Sequence, residues 1–220
     1  MTPRFSCILF DLDGTIMDSA PGITATLAYT FGKLGLPIPS PAELVAYVGP
    51  PILDSFRDRA GFSTAEAERA LDIYRPEYLR KGVFDATVYP GVADVLRHIH
   101  ESGVPLSLAT SKPEKPATLI LEHYDLVKYF DVITGASEDE VRSAKADVVA
   151  EALKRLTAIG ADISRPVMVG DRSHDVHGAA AHDVPTIFVR WGYGNRAEEV
   201  GIIGVANDAA ELDAQLFEAP

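Results

Sequence analysis

Apolar residues along this chain fall into two alternating textures. Short, largely apolar runs occur at 5–10, 105–109, 130–134, 166–169 and 185–189. Runs of that length read as strands buried on both faces. Between them, apolar residues recur every third or fourth place, as at Val92, Val95, Leu96 and Ile99 before Gly103. That spacing predicts helices with one buried face. Further helices are expected over 117–123, from Lys145 through Leu156, after Asp171 through Ala181, and from Asp208, with a last strand at 202–205. Strands alternating with helices through short links predict an α/β fold built on a doubly wound parallel sheet.

One stretch breaks the alternation. From 18 to 85 only helical periodicity is present. Ser19-Ala20-Pro21 reads as a cap with proline in the first turn, ahead of Ile23, Leu27, Phe31 and Leu34. Gly35 and Pro37-Ile38-Pro39 end that helix. A short helix over 41–47 stops at Gly49-Pro50-Pro51, and another runs through Phe56. Ser63-Thr64-Ala65-Glu66 is a capping-box pattern opening a longer helix, which Pro76 should kink or shorten. The expected organisation is a core of 1–17 and 86–220, interrupted after its first strand by an all-helical unit of 18–85.

Composition narrows the class. With 220 residues, 47% hydrophobic and 24% charged, the chain suits a soluble core with a smaller appended unit. No apolar run approaches the roughly 20 residues that span a bilayer, and the first residues lack a signal-peptide pattern. The lone cysteine, Cys7, lies in the first strand and reads as a packing thiol. A cytoplasmic protein is expected. The formal charge of −12 argues against nucleic-acid polymers and anionic membranes as partners.

The chemistry collects where predicted strands end. Asp11, Asp13, Gly14 and Thr15 follow the first run, Thr110-Ser111-Lys112-Pro113 follow the second, and Gly170-Asp171 follow the fourth. Parallel strands bring such ends to one edge of the sheet, where ligands bind. Asp175, one helical turn beyond Asp171, can face the same point. An isolated Asp-x-Asp is usually a solvated turn, so its weight comes from these later partners. Carboxylates gathered in one cleft repel one another, and burial disfavours their charged forms. They call for a cation, and an all-oxygen ligand set favours Mg²⁺ over zinc. His174 and His177 flank Asp175, yet surface or supporting packing outweighs a metal reading for them. Thr110 and Ser111 offer hydroxyl and backbone N–H groups as a phosphate cradle at a strand-to-helix turn, and Lys145 adds a compact positive charge. Together these groups suggest phosphoryl transfer, in which one carboxylate is the covalent nucleophile and its neighbour an acid and then a base. Trp191 and Tyr193 read as packing residues by default, with substrate gating as the lesser alternative, and Arg57 and Arg59 as either anion ligands or solvated arginines.

Asp11-Leu12-Asp13-Gly14-Thr15, Thr110-Ser111-Lys112, Lys145 and Gly170-Asp171-Arg172-Ser173-His174-Asp175 resemble, in order, the four motifs of the haloacid dehalogenase-like hydrolases. The resemblance covers essentially the whole chain, including a helical cap inserted after the first motif. More narrowly, Tyr47-Val48-Gly49-Pro50-Pro51, Thr110-Ser111-Lys112-Pro113-Glu114 and Gly192-Tyr193-Gly194 resemble the phosphoglycolate phosphatase and bacterial 5′-nucleotidase-like branch. The resemblance implies a Rossmann-like catalytic core and a Mg²⁺-dependent phosphatase, monomer or homodimer. Its substrate would be a small phosphorylated metabolite, phosphoglycolate-like or a nucleoside monophosphate. Asp11 would attack phosphorus to form an aspartyl-phosphate, and Asp13 would protonate the leaving group and then activate water. Mg²⁺ would be held by the Asp11 side chain, the Asp13 backbone carbonyl and Asp171, supported by Asp175. Gly14, Thr110, Ser111 and Lys145 would bind phosphate, and Gly49, Pro50 and Arg57 of the cap are candidates for substrate contact. Lys145 precedes Ala146 where many relatives have proline, so Lys112 and Lys115 stand as alternative phosphate cations. The alternatives are a phosphomutase of the β-phosphoglucomutase type and a non-catalytic phosphate-binding regulator. A 2-haloacid dehalogenase is disfavoured by the acid at Asp13.

Overall fold

A computed structural model describes residues 2–218. The described residues begin with a two-residue strand, β1 (Thr2–Pro3), followed by β2 (Cys7–Phe10), in which all four side chains are buried. Burial pushes the Cys7 thiol up to about 11, so it packs and does not react. β3 (Met17–Asp18) leads out of this unit. Residues up to Met17 and from Val88 onward form one compact unit, and Asp18–Thr87 form a second.

The second unit is helical: α1 (Ala20–Lys33), α2 (Pro41–Val45), α3 (Ile52–Asp58) and α4 (Thr64–Arg80), then a 3₁₀ turn at Gly82–Phe84. Ser19 occupies the N-cap position of α1 without a side-chain cap hydrogen bond; the Asp18 carboxylate accepts from the Ala20 N–H instead, at 3.3 Å. The capping box of α4 forms as expected, with the Ser63 N–H donating to Glu66 at 2.9 Å, and an equivalent Ser40–Glu43 box starts α2. Pro76 does not shorten α4, whose helical assignment continues through it to Arg80. Pro76 and Asp72, whose carbonyl loses its partner, are both exposed, so water can take the freed acceptor. Phe31, Tyr47, Phe56, Phe62 and Tyr74 form the aromatic core of this unit, with ring centroids 5.9–6.4 Å apart.

β4 (Thr87–Val88) pairs with β3, and the alternation resumes with α5 (Val92–Ser102), β5 (Leu106–Pro113), α6 (Glu114–His123), β6 (Val132–Ala136), α7 (Lys145–Ala158), β7 (Pro166–Gly170), α8 (Ser173–Ala180) and β8 (Thr186–Val189). β9 (Gly204–Ala206), α9 (Ala209–Leu216) and β10 (Phe217–Glu218) complete it. The main sheet has the order β6-β5-β2-β7-β8-β9, and its strand pairs are parallel. Successive strands are added on one side of β2, then on the other, so the strand order reverses at β2. On one face Cys7, Leu9 and Met168 pack with Val148, Val149, Ala152 and Leu156 of α7. The short antiparallel pair β1–β10 has no counterpart among the expected strands.

β5 departs from the expected strand ending at 109. Ala109 pairs with Thr134 and Pro113 with Ala136, so four steps on β5 face two on β6. The two surplus residues make an irregularity of the β-bulge kind. It lies over Gly135, where a Cβ would stand 2.4 Å from the Lys112 carbonyl oxygen. Thr110, Ser111 and Lys112 therefore sit in an extended, bulged segment and not in a strand-to-helix turn. Among the described residues no helix is long and apolar enough to cross a membrane.

Candidate active site

The reversal of strand order at β2 opens a crevice at the carboxyl ends of β2, β5 and β7, the place where doubly wound sheets bind ligands. Asp11 follows β2 immediately and is anchored by its N–H to the Val169 carbonyl at 3.0 Å. The Leu12 carbonyl then accepts from Ile16 and Met17, folding 12–17 into a tight turn. Gly14 adopts φ +84°, and a Cβ there would lie 2.2 Å from Asp171 Oδ2. Its N–H donates to the Met17 carbonyl at 2.8 Å. Gly14 therefore supplies the turn and room for Asp171, and its own N–H is already engaged.

Lys145, the first residue of α7, reaches across the crevice with its ammonium buried. Nζ lies 2.8 Å from Asp11 Oδ1 and 2.8 Å from Asp175 Oδ1, and donates to the Ala109 carbonyl at 3.0 Å. Its stem fits because residue 178 is glycine, where a Cβ would stand 2.6 Å from Lys145 Cγ. Asp175 folds back over Gly170, and its Oδ2 accepts from the Asp171 and Arg172 N–H groups at 3.1 and 3.0 Å. It thereby caps α8 while facing the site. Asp171 accepts from the Thr15 hydroxyl at 3.3 Å and from the Tyr193 N–H at 2.7 Å.

Asp13 belongs to a separate pair. Its Oδ2 lies 2.9 Å from Lys112 Nζ, with both side chains buried. Thr110 is buried and its hydroxyl accepts from the Lys112 N–H at 3.3 Å, while Ser111 Oγ is buried with no hydrogen-bond partner among the described residues. The lysines singled out from the sequence thus take different positions: Lys145 on Asp11 and Asp175, Lys112 on Asp13. His174 is half-buried, its Nε2 has no hydrogen-bond partner among the described residues, and burial lowers it to about 4; His177 is exposed. Gly49, Pro50 and Arg57 lie in the helical unit. Gly49 has φ +104°, Pro50 is half-buried, and Arg57 on α3 faces Asp54 at 3.7 Å.

The electrostatics are those of a site with too much negative charge. Burial pushes Asp11 up to about 6 even with Lys145 beside it. Burial, then Asp175 and Asp11, hold Asp171 well above the usual carboxylate range. Burial acts the same way on Asp175, but Lys145 outweighs it and the carboxylate is lowered. Burial works against the Lys145 charge and the two carboxylates overcome it. Asp11, Asp171 and Asp175 each offer a buried carboxylate oxygen, all within 4.8 Å of one another. Three hard oxygens that close, two of them unfavourably charged, fit a small divalent cation.

Several contributors carried no recognisable signal in the sequence. The Tyr193 backbone and Gly178 act through close approach to residues distant along the chain, Asp171 and Lys145. Only the Gly-x-Gly pattern at 192–194 stood out, and it did so as a family feature.

The curated relatives include the tyrosine-protein kinase PtkA of Mycobacterium tuberculosis, 42% identical over 214 residues that cover 96% of this chain and 71% of PtkA. They also include a 5′-nucleotidase of Pseudomonas aeruginosa, 34% identical over 195 residues, covering 89% of this chain and 87% of that protein. Among solved structures, a protein from Clostridium acetobutylicum described as a predicted phosphatase superposes with a TM-score of 0.91 at 35% identity, covering 98% of this chain and 99% of its own. The haloacid dehalogenase-like hydrolase family model matches residues 8–189. With that match spanning the strands, α7 and α8 that build the acidic crevice, the chain belongs to the haloacid dehalogenase-like hydrolases.

Proposed function

We propose that this chain is a Mg²⁺-dependent phosphomonoesterase acting on a small phosphorylated metabolite, phosphoglycolate-like or a nucleoside monophosphate, through an aspartyl-phosphate on Asp11. The observation that carries this reading is the division of labour in the crevice. Asp11 shares Lys145 with Asp175, whereas Asp13 is paired apart with Lys112. One carboxylate is thereby held as a charged nucleophile and the other is separated from it for proton transfer.

Asp11 Oδ1 is occupied by Lys145, so Oδ2 is the attacking atom. It forms the bond to phosphorus as the ester P–O bond breaks, and Asp13 gives its proton to the leaving alkoxide. Asp13, now a carboxylate, takes a proton from water as the water oxygen attacks phosphorus. The P–O bond to Asp11 breaks and inorganic phosphate leaves. Lys145, the Ser111 hydroxyl and Thr110 hold the phosphoryl oxygens and offset charge that builds on them. Asp11, Asp171 and the Asp13 backbone carbonyl would hold Mg²⁺, with Asp175 in support; the ion supplies Lewis-acid polarisation of the phosphoryl group. The assignment of the helical unit as a substrate-selecting cap, through Gly49, Pro50 and Arg57, rests on the family resemblance.

A panel of phosphorylated metabolites that includes phosphoglycolate and nucleoside monophosphates is expected to release inorganic phosphate with Mg²⁺ and not with chelator. Absence of release from every member would sink the reading. The relative named a tyrosine-protein kinase at 42% identity favours a second reading, in which a tyrosine hydroxyl and not water accepts the phosphoryl group. Label from γ-phosphate-labelled ATP appearing on tyrosine, with no free phosphate, would establish it. Label on a hexose phosphate would instead establish a mutase.

Stability should report the same cation. Asp11 has a folded value of about 6 against 3.8 for the free side chain, so folding takes up protons between those values. Its contribution is therefore most favourable below pH about 4 and declines as pH rises through about 6. Asp171 acts in the same sense, and Asp175, lowered by Lys145, in the opposite one. Mg²⁺ relieves the penalty at neutral pH. At about 100 times its dissociation constant it stabilises by about 2.7 kcal/mol, a rise in melting temperature of about 5–10 °C for a chain of this size. The rise is expected at pH 7.5 and should shrink at pH 5. Equal rises at both pH values in calorimetric scans would contradict the assignment.

A further inference from the structure

Asp171 leaves β7 at its tip, and its carboxylate is held by a loop from elsewhere, Trp191-Gly192-Tyr193-Gly194 after β8. The Tyr193 N–H donates to Oδ2 at 2.7 Å, whereas among the described residues Oδ1 accepts only the longer bond from the Thr15 hydroxyl, at 3.3 Å. The loop is also tied to the turn after β2, because Trp191 Nε1–H donates to the Thr15 carbonyl at 3.0 Å. Two glycines allow this approach. A Cβ on Gly192 would stand 2.3 Å from Asp171 Oδ2 and 2.3 Å from the Gly14 carbonyl oxygen. A Cβ on Gly194 would stand 1.8 Å from the Asp171 carbonyl oxygen. Neither glycine adopts positive φ, so the requirement is for space and not for an unusual backbone.

We propose that the 191–194 loop is the positioning device of the cation site: it commits Asp171 Oδ2 to the Tyr193 N–H, leaves Oδ1 as that residue's ligand, and locks this choice to the Thr15 turn through Trp191. Trp191 is the chain's single tryptophan, and its ring edge is bonded to the residue beside Gly14. Its fluorescence therefore reports occupation of the site. The inference rests on the Mg²⁺ reading given above, and supporting groups behind a ligand commonly set metal affinity by about 10–100-fold.

The test is a Mg²⁺ titration of the full chain without substrate, followed by calorimetry in every variant and in parallel by tryptophan fluorescence where Trp191 is kept. In the wild type a saturable fluorescence change is expected with the same midpoint as the heat. Gly192→Ala, which pushes a methyl group onto Asp171 Oδ2, and Trp191→Phe, which removes the bond to Thr15, should each weaken Mg²⁺ by about 10–100-fold. Trp191→Phe should keep its metal-free melting temperature within ~3 °C of wild type, and excess Mg²⁺ should restore its turnover. If Gly192→Ala fails to fold, Trp191→Phe decides. Unchanged Mg²⁺ affinity in the folded variants, with wild-type binding and phosphate release intact, overturns the positioning role and leaves the phosphatase reading standing. No Mg²⁺ binding by the wild type overturns both.

Discussion

Asp11→Asn is expected to lower phosphate release by about four orders of magnitude or more and to abolish acid-stable label on the protein after quenching. Removing a nucleophile that acts as a unit with its partners costs rates on this scale. The amide keeps the shape and hydrogen-bonding reach of the carboxylate but cannot form the acyl phosphate. The variant should also stay folded. Asp11 is a buried acid pushed up to about 6, so removing its charge relieves crowding. Asp175 remains to pair with Lys145 at 2.8 Å. In metal-free buffer at neutral pH the melting temperature should therefore be no lower than that of the wild type. Turnover near the wild-type rate would exclude Asp11 as nucleophile, and a collapsed melting temperature would show that its main task is structural.

Lys145→Met should be the most damaging single change to the metal-free fold. Methionine keeps the stem that packs over Gly178 and deletes only the ammonium, which contacts Asp11, Asp175 and the Ala109 carbonyl. Removing one partner of a buried ion pair costs about 3–5 kcal/mol, because charges are left without compensation. That corresponds to a fall of about 6–20 °C in melting temperature for a chain of this size. Phosphate release should fall by about 10²–10³-fold, the usual effect of losing one electrostatic donor. Asp175→Asn added to Lys145→Met should recover part of the lost stability, since it removes one of the stranded charges, and the two changes will then be strongly non-additive. Additive losses would mean that Lys145 and Asp175 contribute independently. Lysine to arginine is no remedy: the planar guanidinium is larger, and the space beside Gly178 is already filled by the stem.

What could be read from the sequence follows from the range of the interactions involved. β2 was legible because Cys7-Ile8-Leu9-Phe10 is apolar throughout, and a central parallel strand requires that. Asp11 and Asp171 were legible because a carboxylate directly after such a strand has no packing reason to be there. The α4 capping box was legible because Ser63 and Glu66 act within one turn. The misread features depend on distant partners or on solvent. Pro76 is tolerated because its side of α4 faces water, which a proline rule applied to sequence cannot register. Thr110-Ser111-Lys112-Pro113 has the composition of a turn, and only pairing with β6 on either side makes it a bulged strand. The Lys112–Asp13 pair joins residues from two motifs, and the sequence places both lysines near the site without dividing them between the two aspartates.

The two surplus residues of β5 have a further consequence, one of parity. Because they are an even number, Ala109 and Pro113 keep the same phase of the pleat, and the chain enters α6 facing as an unbulged strand would. One residue more or fewer would invert that phase at Pro113, the last residue of β5, where the strand pairs with Ala136 before α6 begins. Two fewer would restore the phase but straighten the strand and withdraw Thr110, Ser111 and Lys112 from the crevice. The length of chain between Ala109 and Pro113 is thereby tied to the segment that carries Thr110, Ser111 and Lys112.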